Sequence, residues 1–341
     1  MLNVDDHPME QLNGSIPVDP ADPLPPGAAL SEQFAALLPI GERTPLRLAA
    51  GLIQTARPRQ WIKNVLVVAA PLAAGELFAR TVPLRLAATF LVFTCASAAV
   101  YLVNDAKDVH ADRVHPVKRH RPVASGLVPV RLAYATGLLL AGVAVTAALL
   151  LCNAAAAGVV VAYLVMQFAY CASLKHMLLV DLAVVAAGFL LRAMVGGLAV
   201  GLPLSRWFLI TAGFGALFMV SAKRYSELVL MRDHGGRSRA LLDAYSDTYL
   251  RFVWQLAGGV TVLSYCLWAL GTADPAGAGA AGLLPWRQLS IIPFVLGVMR
   301  YAVFADRGTA GAPEDILLKD RPLQIIAAAW LAVYSLAVWN L

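Results

Sequence analysis

Acidic side chains recur at helical spacing in "NDAKDVHAD", residues 104–112. If a helix continues through this segment, Asn104, Asp108 and Asp112 share one face at i, i+4 and i+8, and Asp105 lies beside them. Carboxylates this close repel one another unless a divalent cation lies among them, and Mg2+ prefers hard oxygen ligands combined with substrate phosphates. The spacing therefore predicts a Mg2+ site formed by Asn104, Asp105, Asp108 and Asp112, in which Asp105, Asp108 and Asp112 are the catalytic carboxylates.

Basic residues follow the acidic face directly. Lys118, Arg119 and Arg121 lie between Pro116 and Pro122, which are expected to end the helix and turn the chain. Cations at this point can bind phosphate. The alternative is a solvated helix end with mixed charges, but the periodic acids and adjacent bases favour a functional unit. Zinc is disfavoured because the three histidines here do not share a helical face and no cysteine accompanies them.

A second polar group occurs in "SAKRYSEL", residues 221–228, at the end of a later apolar segment. Lys223 and Glu227 are i, i+4, whereas Arg224 points about 100° away on a helix. An ordinary positively charged membrane anchor is the alternative. Tyr225, Glu227 and the matching position at a helix end favour substrate binding by Lys223, Arg224, Tyr225 and Glu227.

Polar residues also open the first apolar segment. Gln60, Lys63 and Asn64 recur at i+3 and i+4, so an α-helix would place them on one face, where they would contact substrate. Lys63 could instead extend to the membrane surface. Lys175, on a later connection, is a further predicted substrate-binding base.

Arg192 lies inside an apolar segment, three helical turns after Asp181. An arginine within a bilayer is a functional-site candidate because its charge is costly there. Arg192 is therefore assigned to substrate binding, with Asp181, an acidic ligand or both as its counter-charge. A purely structural pair between Arg192 and Asp181 is the alternative.

Membrane helices must position these residues. The chain has 341 residues, of which 59% are hydrophobic and 14% charged, a composition outside the range of soluble domains. The apolar segments are near the roughly 20 residues that cross a bilayer core, and their continuous Ala/Leu-rich character favours helices over barrel strands. We predict an all-α polytopic membrane protein with nine transmembrane helices, at 58–78, 84–104, 131–152, 154–172, 178–200, 206–222, 251–270, 287–305 and 322–340.

The distribution of bases predicts the orientation. Most lysines and arginines between the segments lie on the side that holds the N-terminal arm and both motifs, so the positive-inside rule places that side in the cytoplasm and the chain in the plasma (inner) membrane. Residues 1–45, rich in proline and acids, are expected to be a disordered cytoplasmic tail, and residues 46–341 one transmembrane catalytic domain. The charged residues 314–321 either cap the site or form a solvated loop.

At these motifs the sequence resembles the UbiA superfamily of intramembrane prenyltransferases. "NDAKDVHAD" matches the NDxxDxxxD signature of that family, whose members have nine helices and acidic motifs that hold Mg2+ and a diphosphate above a lipid-filled cavity. The resemblance covers about residues 55–341. Aromatic prenyltransferases of the family carry a second Asp-rich motif where this chain reads "KRYSEL". This departure, together with "RPRQWIKNVLVVAAP" and "YLRFVW", resembles the branch that acts on decaprenyl phosphate.

The resemblance implies a Mg2+-dependent transfer of 5-phosphoribosyl from phosphoribosyl diphosphate to a polyprenyl (decaprenyl) phosphate, which releases diphosphate and supplies a precursor of cell-wall arabinan. A basic second motif suits this reaction because three phosphate-bearing groups meet. The rivals are prenyl transfer to an aromatic acceptor and polyprenyl-phosphate transport, which would require more polar residues deep in the bilayer. Expected partners are the two substrates and the membrane, not nucleic acid, and a homo-oligomer is left open.

Overall fold

The computed structural model describes residues 44–234, 245–271 and 284–339. Residues 1–43 of the predicted tail lie outside the described residues. The described part of the chain forms helices and connections without strands. The α-helices are, in chain order, α1 (Pro45–Thr55), α2 (Ala69–Ala73), α3 (Val82–Lys107), α4 (Val109–Val114), α5 (Val130–Leu151), α6 (Ala154–Ala172), α7 (Val180–Ala199), α8 (Arg206–His234), α9 (Asp247–Gly271), α10 (Trp286–Leu289), α11 (Ile291–Asp306), α12 (Pro313–Lys319) and α13 (Arg321–Trp339).

Seven helices in the described ranges are long and apolar enough to cross a membrane. They correspond to seven of the nine predicted segments and are Val82–Lys107, Val130–Leu151, Ala154–Ala172, Val180–Ala199, Asp247–Gly271, Trp286–Asp306 and Arg321–Val338. The predicted segments 58–78 and 206–222 are not among them. The second of these lies within α8, which continues to His234 through the polar "SAKRYSEL" motif.

The first predicted span is not a regular α-helix. Pro58–Val68 forms a 3₁₀ helix, and the five residues of α2 follow it. A 3₁₀ helix rises about 2.0 Å per residue, so it is thinner and longer than an α-helix with the same number of residues. Its backbone touches α7, because a Cβ added to Gly196 would lie 1.7 Å from the carbonyl oxygen of Val67. Only glycine permits this approach.

Two hydrophobic cores meet at α7. The first surrounds Phe93 and Tyr163, whose ring centroids are 4.6 Å apart, and is built by α3, α5, α6 and α7. The second surrounds Phe218 and Trp254, with centroids 6.2 Å apart, and is built mainly by α7, α8, α9 and α11. Helix α7 therefore contributes residues to both cores.

The acidic helix is interrupted, contrary to the expectation of a continuous helix. It ends at Lys107, Asp108 is a turn residue, and α4 begins at Val109. The Asp108 amide still donates to the carbonyl of Asn104 (2.9 Å), and the Asp112 amide donates to that of Asp108 (2.8 Å). The i, i+4 spacing of the acids therefore survives the interruption.

Candidate functional site

The first charged cluster is centred on two buried carboxylates. The side chains of Asp105 and Asp112 are 2% and 4% exposed. Arg121 Nη1 donates to Asp112 Oδ2 at 2.7 Å and to Asp105 Oδ1 at 3.3 Å. Arg57 Nη2 donates to the same Asp105 oxygen at 2.6 Å. Two carboxylates from one helical segment are thus neutralised by two arginines from other parts of the chain.

Asp108 has a different partner. Its carboxylate accepts a hydrogen bond from the ammonium of Lys175, on the connection between α6 and α7. Both side chains are about one-fifth exposed. The contact confirms that Lys175 and the acidic segment meet, although they are 67 residues apart in sequence.

The loop after α4 presents Arg121. His115 Nδ1 accepts hydrogen bonds from the amides of Val117 (3.2 Å) and Lys118 (3.3 Å), which turns the chain into a short 3₁₀ helix. Val123 is completely buried and anchors the far side of the loop. Arg121 therefore points back to the acids, whereas Arg119 is exposed and donates to His120 at 3.2 Å. Lys118 is half-buried.

Arg57 was not among the predicted site residues. Its backbone lies in the left-handed region (φ 55°), and it directly precedes Pro58. This conformation is costly for a residue other than glycine, and such strain concentrates at functional sites. The guanidinium also lies 4.7 Å from the ring centroid of Tyr101. The basic segment "RPRQ" was visible in the sequence. The sequence did not show that Arg57 would contact Asp105.

The second cluster is built around Asp181, which is 1% exposed at the start of α7. Arg224 donates to both of its oxygens, each at 3.2 Å, and to Glu227 Oε2 at 3.0 Å. The Tyr170 hydroxyl donates to Asp181 Oδ1 at 2.5 Å. Lys223 lies on the outer side, 37% exposed and 3.9 Å from Glu227, as the i, i+4 spacing predicted.

Tyr245, which precedes α9, also reaches this cluster. Burial raises the pKa of its phenol, and the negative charge of Asp181 raises it further. The ring stacks on Tyr249 with centroids 6.0 Å apart. The raised pKa keeps this phenol neutral beside the second cluster.

The two clusters are joined by one connection. Lys175 contacts Asp108 of the first cluster, and Asp181, six residues later, binds Arg224 of the second. The acidic and basic motifs therefore lie at the same end of the bundle and share a supporting segment.

The expected pairing of Arg192 with Asp181 is not observed in the described contacts. Arg192 donates to Asn64 Oδ1 (2.9 Å), the Gly188 carbonyl (2.7 Å) and the Tyr163 hydroxyl (3.0 Å). Asp181 instead accepts hydrogen bonds from Arg224, whose guanidinium reaches both carboxylate oxygens. Neutral oxygens and aromatic rings surround the Arg192 guanidinium, whose Cζ lies 5.0 Å from the ring centroid of Tyr163. Arg192 is 7% exposed, so in the described structure its charge is held by protein groups, and its contact with substrate stays a prediction.

Two other predicted site residues are also buried in the protein. Asn64 is 0% exposed and donates to Thr94 Oγ1 (3.1 Å) as well as accepting from Arg192. Tyr225 is 4% exposed, and its hydroxyl accepts a hydrogen bond from Arg251 at 2.5 Å. Both side chains are therefore satisfied by protein groups, and neither is a described contact of the two clusters.

The 3₁₀ geometry explains why Asn64 separates from its predicted partners. Residues three apart eclipse one another in a 3₁₀ helix, so Gln60 and Lys63 share a face and Asn64 turns away into the core. Gln60 and Lys63 are half-buried, and the Lys63 ammonium lies 6.0 Å from the ring centroid of Phe189. The prediction of one polar face, which assumed an α-helix, is therefore wrong for Asn64.

The charged connection before α13 divides into two parts. Lys319 and Asp315 form an exposed pair at 2.9 Å, typical of a solvated loop. Asp320 accepts two hydrogen bonds from Arg300, at 3.1 and 2.7 Å, and caps α13 by accepting from the Leu323 amide. The hydrogen bond from Arg300 lowers the pKa of Asp320. These contacts favour a structural loop over a cap on the site.

The donor set of the first cluster fits a divalent cation. Within the described ranges no three His, Cys, Asp or Glu side chains form a compact metal-binding group. However, oxygens of Asp105 and Asp112 converge on one nitrogen of Arg121, so they can share a cation. Asp108 lies between these two acids in the sequence. The side-chain amide nitrogen of Asn104 lies 3.5 Å from Asp105 Oδ1. These hard oxygen donors are the ligands that Mg2+ prefers.

Comparison with known proteins agrees with this arrangement. The chain is 45% identical over 298 residues to the decaprenyl-phosphate phosphoribosyltransferase of Corynebacterium glutamicum, covering 86% of this chain and 89% of that protein. It is 48% identical over 298 residues to the protein of the same name from Mycobacterium tuberculosis, covering 86% of this chain and 96% of the relative.

The fold is similar to solved membrane proteins. A UbiA homolog from Archaeoglobus fulgidus, solved with GPP and Mg2+, superimposes with a TM-score of 0.63 at 15% identity, covering 85% of this chain and 99% of that one. A digeranylgeranylglyceryl phosphate synthase gives a TM-score of 0.59 at 14% identity, covering 86% and 99%. The sequence matches the UbiA prenyltransferase family over residues 65–317. The chain therefore belongs to the UbiA prenyltransferase family.

Proposed function

We propose that this chain transfers the 5-phosphoribosyl group of phosphoribosyl diphosphate to decaprenyl phosphate, and so supplies a precursor of cell-wall arabinan. The observation that carries the proposal is the second cluster, where Arg224 and Lys223 replace the acids expected of an aromatic prenyltransferase. The names of the relatives from Corynebacterium and Mycobacterium support the same substrates.

The charge of the substrates explains why the two clusters differ. The reaction brings together a diphosphate, a ribose 5-phosphate and a lipid phosphate. A divalent ion at the acidic cluster neutralises only part of this charge, so the protein must supply further cations. Arg57, Arg121, Lys175 and Lys223 are partly exposed at the same end of the bundle, so we infer that they bind the remaining phosphate oxygens.

We infer a division of roles among the side chains. Asp105, Asp108 and Asp112, with Asn104, would hold Mg2+, which when bound supplies charge neutralisation at the leaving diphosphate. Arg224 is held by Asp181 and Glu227 and keeps the basic end of α8 in place. Lys223, the more exposed base, is the one that can contact a phosphate directly.

The chemical step requires no proton transfer. An oxygen of the lipid phosphate, ionised at neutral pH, forms a bond to the anomeric carbon of ribose. The bond from that carbon to the diphosphate oxygen breaks, and its electron pair leaves with the diphosphate. The side chains contribute by placing the two anions in line and by stabilising the charge that develops on the leaving oxygen.

We further propose that the chain crosses the plasma membrane nine times, with 58–78 and 206–222 as the two spans beyond the seven apolar helices, and with both clusters in the cytoplasm. Residues 46–341 would form the catalytic domain. An apolar cavity of about 440 Å³ between the 3₁₀ helix and the start of α3 suits a segment of isoprenoid chain; it is lined by Val65, Val67, Val68, Leu77, Phe78, Pro83, Leu86, Ala87 and Phe90.

Purified protein incubated with radiolabelled phosphoribosyl diphosphate, decaprenyl phosphate and Mg2+ tests the proposal. An acid-labile labelled lipid, absent when Mg2+ is chelated, is the expected product. A parallel reaction with a prenyl diphosphate and an aromatic acid tests the prenyl-transfer rival. A prenylated aromatic product without the labelled lipid would contradict the proposal, as would movement of unmodified lipid phosphate across vesicles without any new bond.

A further inference from the structure

In the first cluster the acids are buried and the bases are partly exposed. Asp105 and Asp112 are 2% and 4% exposed, on helices packed into the bundle. Arg57 and Arg121 are 31% and 28% exposed, and each lies on a segment outside the long helices. A long, partly exposed side chain can leave a buried carboxylate without disturbing the core.

The charges of this cluster balance in two alternative ways. Two carboxylates and two guanidiniums together are neutral. A divalent cation bound between Asp105 and Asp112 brings the same positive charge as the two arginines and uses the same oxygens. Buried carboxylates without a counter-charge are strongly destabilising, so one kind of cation must replace the other.

We propose that Arg57 and Arg121 are exchangeable counter-ions of the metal site. When Asp105 and Asp112 hold a divalent cation, the two guanidiniums would leave these carboxylates and bind the phosphate oxygens of a diphosphate at the same site. The inference rests on the proposed function for the diphosphate ligand, but not on the identity of the acceptor lipid. It assigns Arg57, which the sequence motifs did not single out, as a diphosphate-binding residue.

The backbone at Arg57 supports this role. Its left-handed conformation before Pro58 is maintained despite its cost, and the ring of Tyr101, 4.7 Å from the guanidinium carbon, provides a second favourable contact. The side chain therefore stays near the cluster when it leaves Asp105.

Two binding measurements on the purified full-length chain test the exchange. Mn2+ alone is titrated and followed by electron paramagnetic resonance, and inorganic diphosphate is then titrated into the Mn2+-loaded protein. For Arg57→Gln we expect Mn2+ to bind about tenfold more tightly, because a competing cation is lost, and diphosphate to bind about tenfold more weakly, each equivalent to about 1.4 kcal/mol. Arg121→Gln should shift both constants in the same directions.

Opposite signs distinguish exchange from a structural defect, which would weaken both ligands. Arg57→Lys, which keeps the charge, should bind Mn2+ nearly as the natural chain does. The matched control is Arg59→Gln, an exposed arginine two residues later, inside the 3₁₀ helix that Arg57 precedes, which should leave both constants unchanged. Unchanged or weaker Mn2+ binding in both Arg57→Gln and Arg121→Gln would overturn the proposal.

The titrations and the lipid-labelling assay separate a failure of this proposal from a failure of the proposed function. Neither titration contains ribose or lipid. Loss of lipid labelling with the exchange intact would refute only the substrates, whereas labelling without the opposite shifts would refute only the exchange.

Discussion

The two charged clusters use the same residue types in opposite arrangements. In the first, one helical segment supplies buried acids, and partly exposed bases come to them from elsewhere. In the second, α8 supplies the base, and Asp181 comes to it from α7. Arg224 is only 13% exposed and binds both oxygens of Asp181, whereas Arg57 and Arg121 are 31% and 28% exposed. This difference is the basis for the proposal that the first cluster exchanges its cations and that the second is a fixed support.

This difference shows that a buried aspartate is not by itself a metal ligand. Asp181 is as buried as Asp105, but Arg224 occupies both of its oxygens and the Tyr170 hydroxyl adds a further hydrogen bond. A bidentate arginine is geometrically matched to a carboxylate and does not leave it readily. Asp105 Oδ1 accepts from Arg57 and Arg121, and Asp112 Oδ2 accepts from Arg121, so in the described contacts no arginine binds both oxygens of either carboxylate.

The largest expected effect comes from the acids of the first cluster. Asp112→Asn keeps the shape but removes the charge that holds Arg121 and, as proposed, Mg2+. We expect kcat/KM for lipid labelling to fall by about a hundredfold or more. Asp315→Asn, an exposed carboxylate on the loop before α13, is the control and should keep full activity. Full activity of Asp112→Asn would contradict the proposal that this cluster binds the metal.

Asp181→Asn tests the fixed cluster. Breaking a buried ion pair leaves Arg224 without its counter-charge, so we expect a loss of about 3 kcal/mol of stability and about tenfold lower activity. Thermal unfolding in detergent measures the first and lipid labelling the second. The double variant Asp181→Asn/Arg224→Gln should be more stable than Asp181→Asn. Additive losses in the double variant would show that the two side chains act independently.

Lys223→Gln should have a smaller effect, confined to binding. Lys223 is 37% exposed and only 3.9 Å from Glu227, so its loss leaves the Arg224 contacts in place. We expect KM for one phosphate-bearing substrate to rise by about threefold to tenfold, with kcat little changed. Lys319→Gln is the matched control because Lys319 is 76% exposed and pairs with Asp315 on the loop before α13. A fall in kcat with unchanged KM would contradict a binding role.

The smallest effect is expected outside both clusters, at Asp320. The hydrogen bond from Arg300 lowers its pKa in the folded state, so it stabilises the fold above its ordinary pKa, and this contribution is lost as the pH falls through the lowered value. Asp320→Asn should therefore lower the unfolding temperature slightly at neutral pH but not in strong acid, with lipid labelling unchanged at neutral pH. An equal loss at both pH values would mean that capping of α13, not charge, is responsible.

Long apolar segments predicted seven of the nine proposed spans closely, because a run of apolar residues must form a helix to satisfy its backbone in a bilayer. It failed at residues 58–78. There the close contact of Val67 with Gly196 accompanies a 3₁₀ helix, and Asn64 turns into the core. No local pattern reveals a contact between segments about 130 residues apart.

Local sequence patterns were enough to predict candidate residues for the chemistry: acids at i, i+4 intervals, bases after a proline turn, and "KRYSEL" within a later helix. Only the tertiary structure decided the pairings. Arg57 meets Asp105 across 48 positions and Arg224 meets Asp181 across 43, while Arg192, the expected partner of Asp181, is held by neutral groups. The reason is physical: helical spacing is set by local backbone hydrogen bonds, whereas the partner of a charge depends on which helix ends pack together.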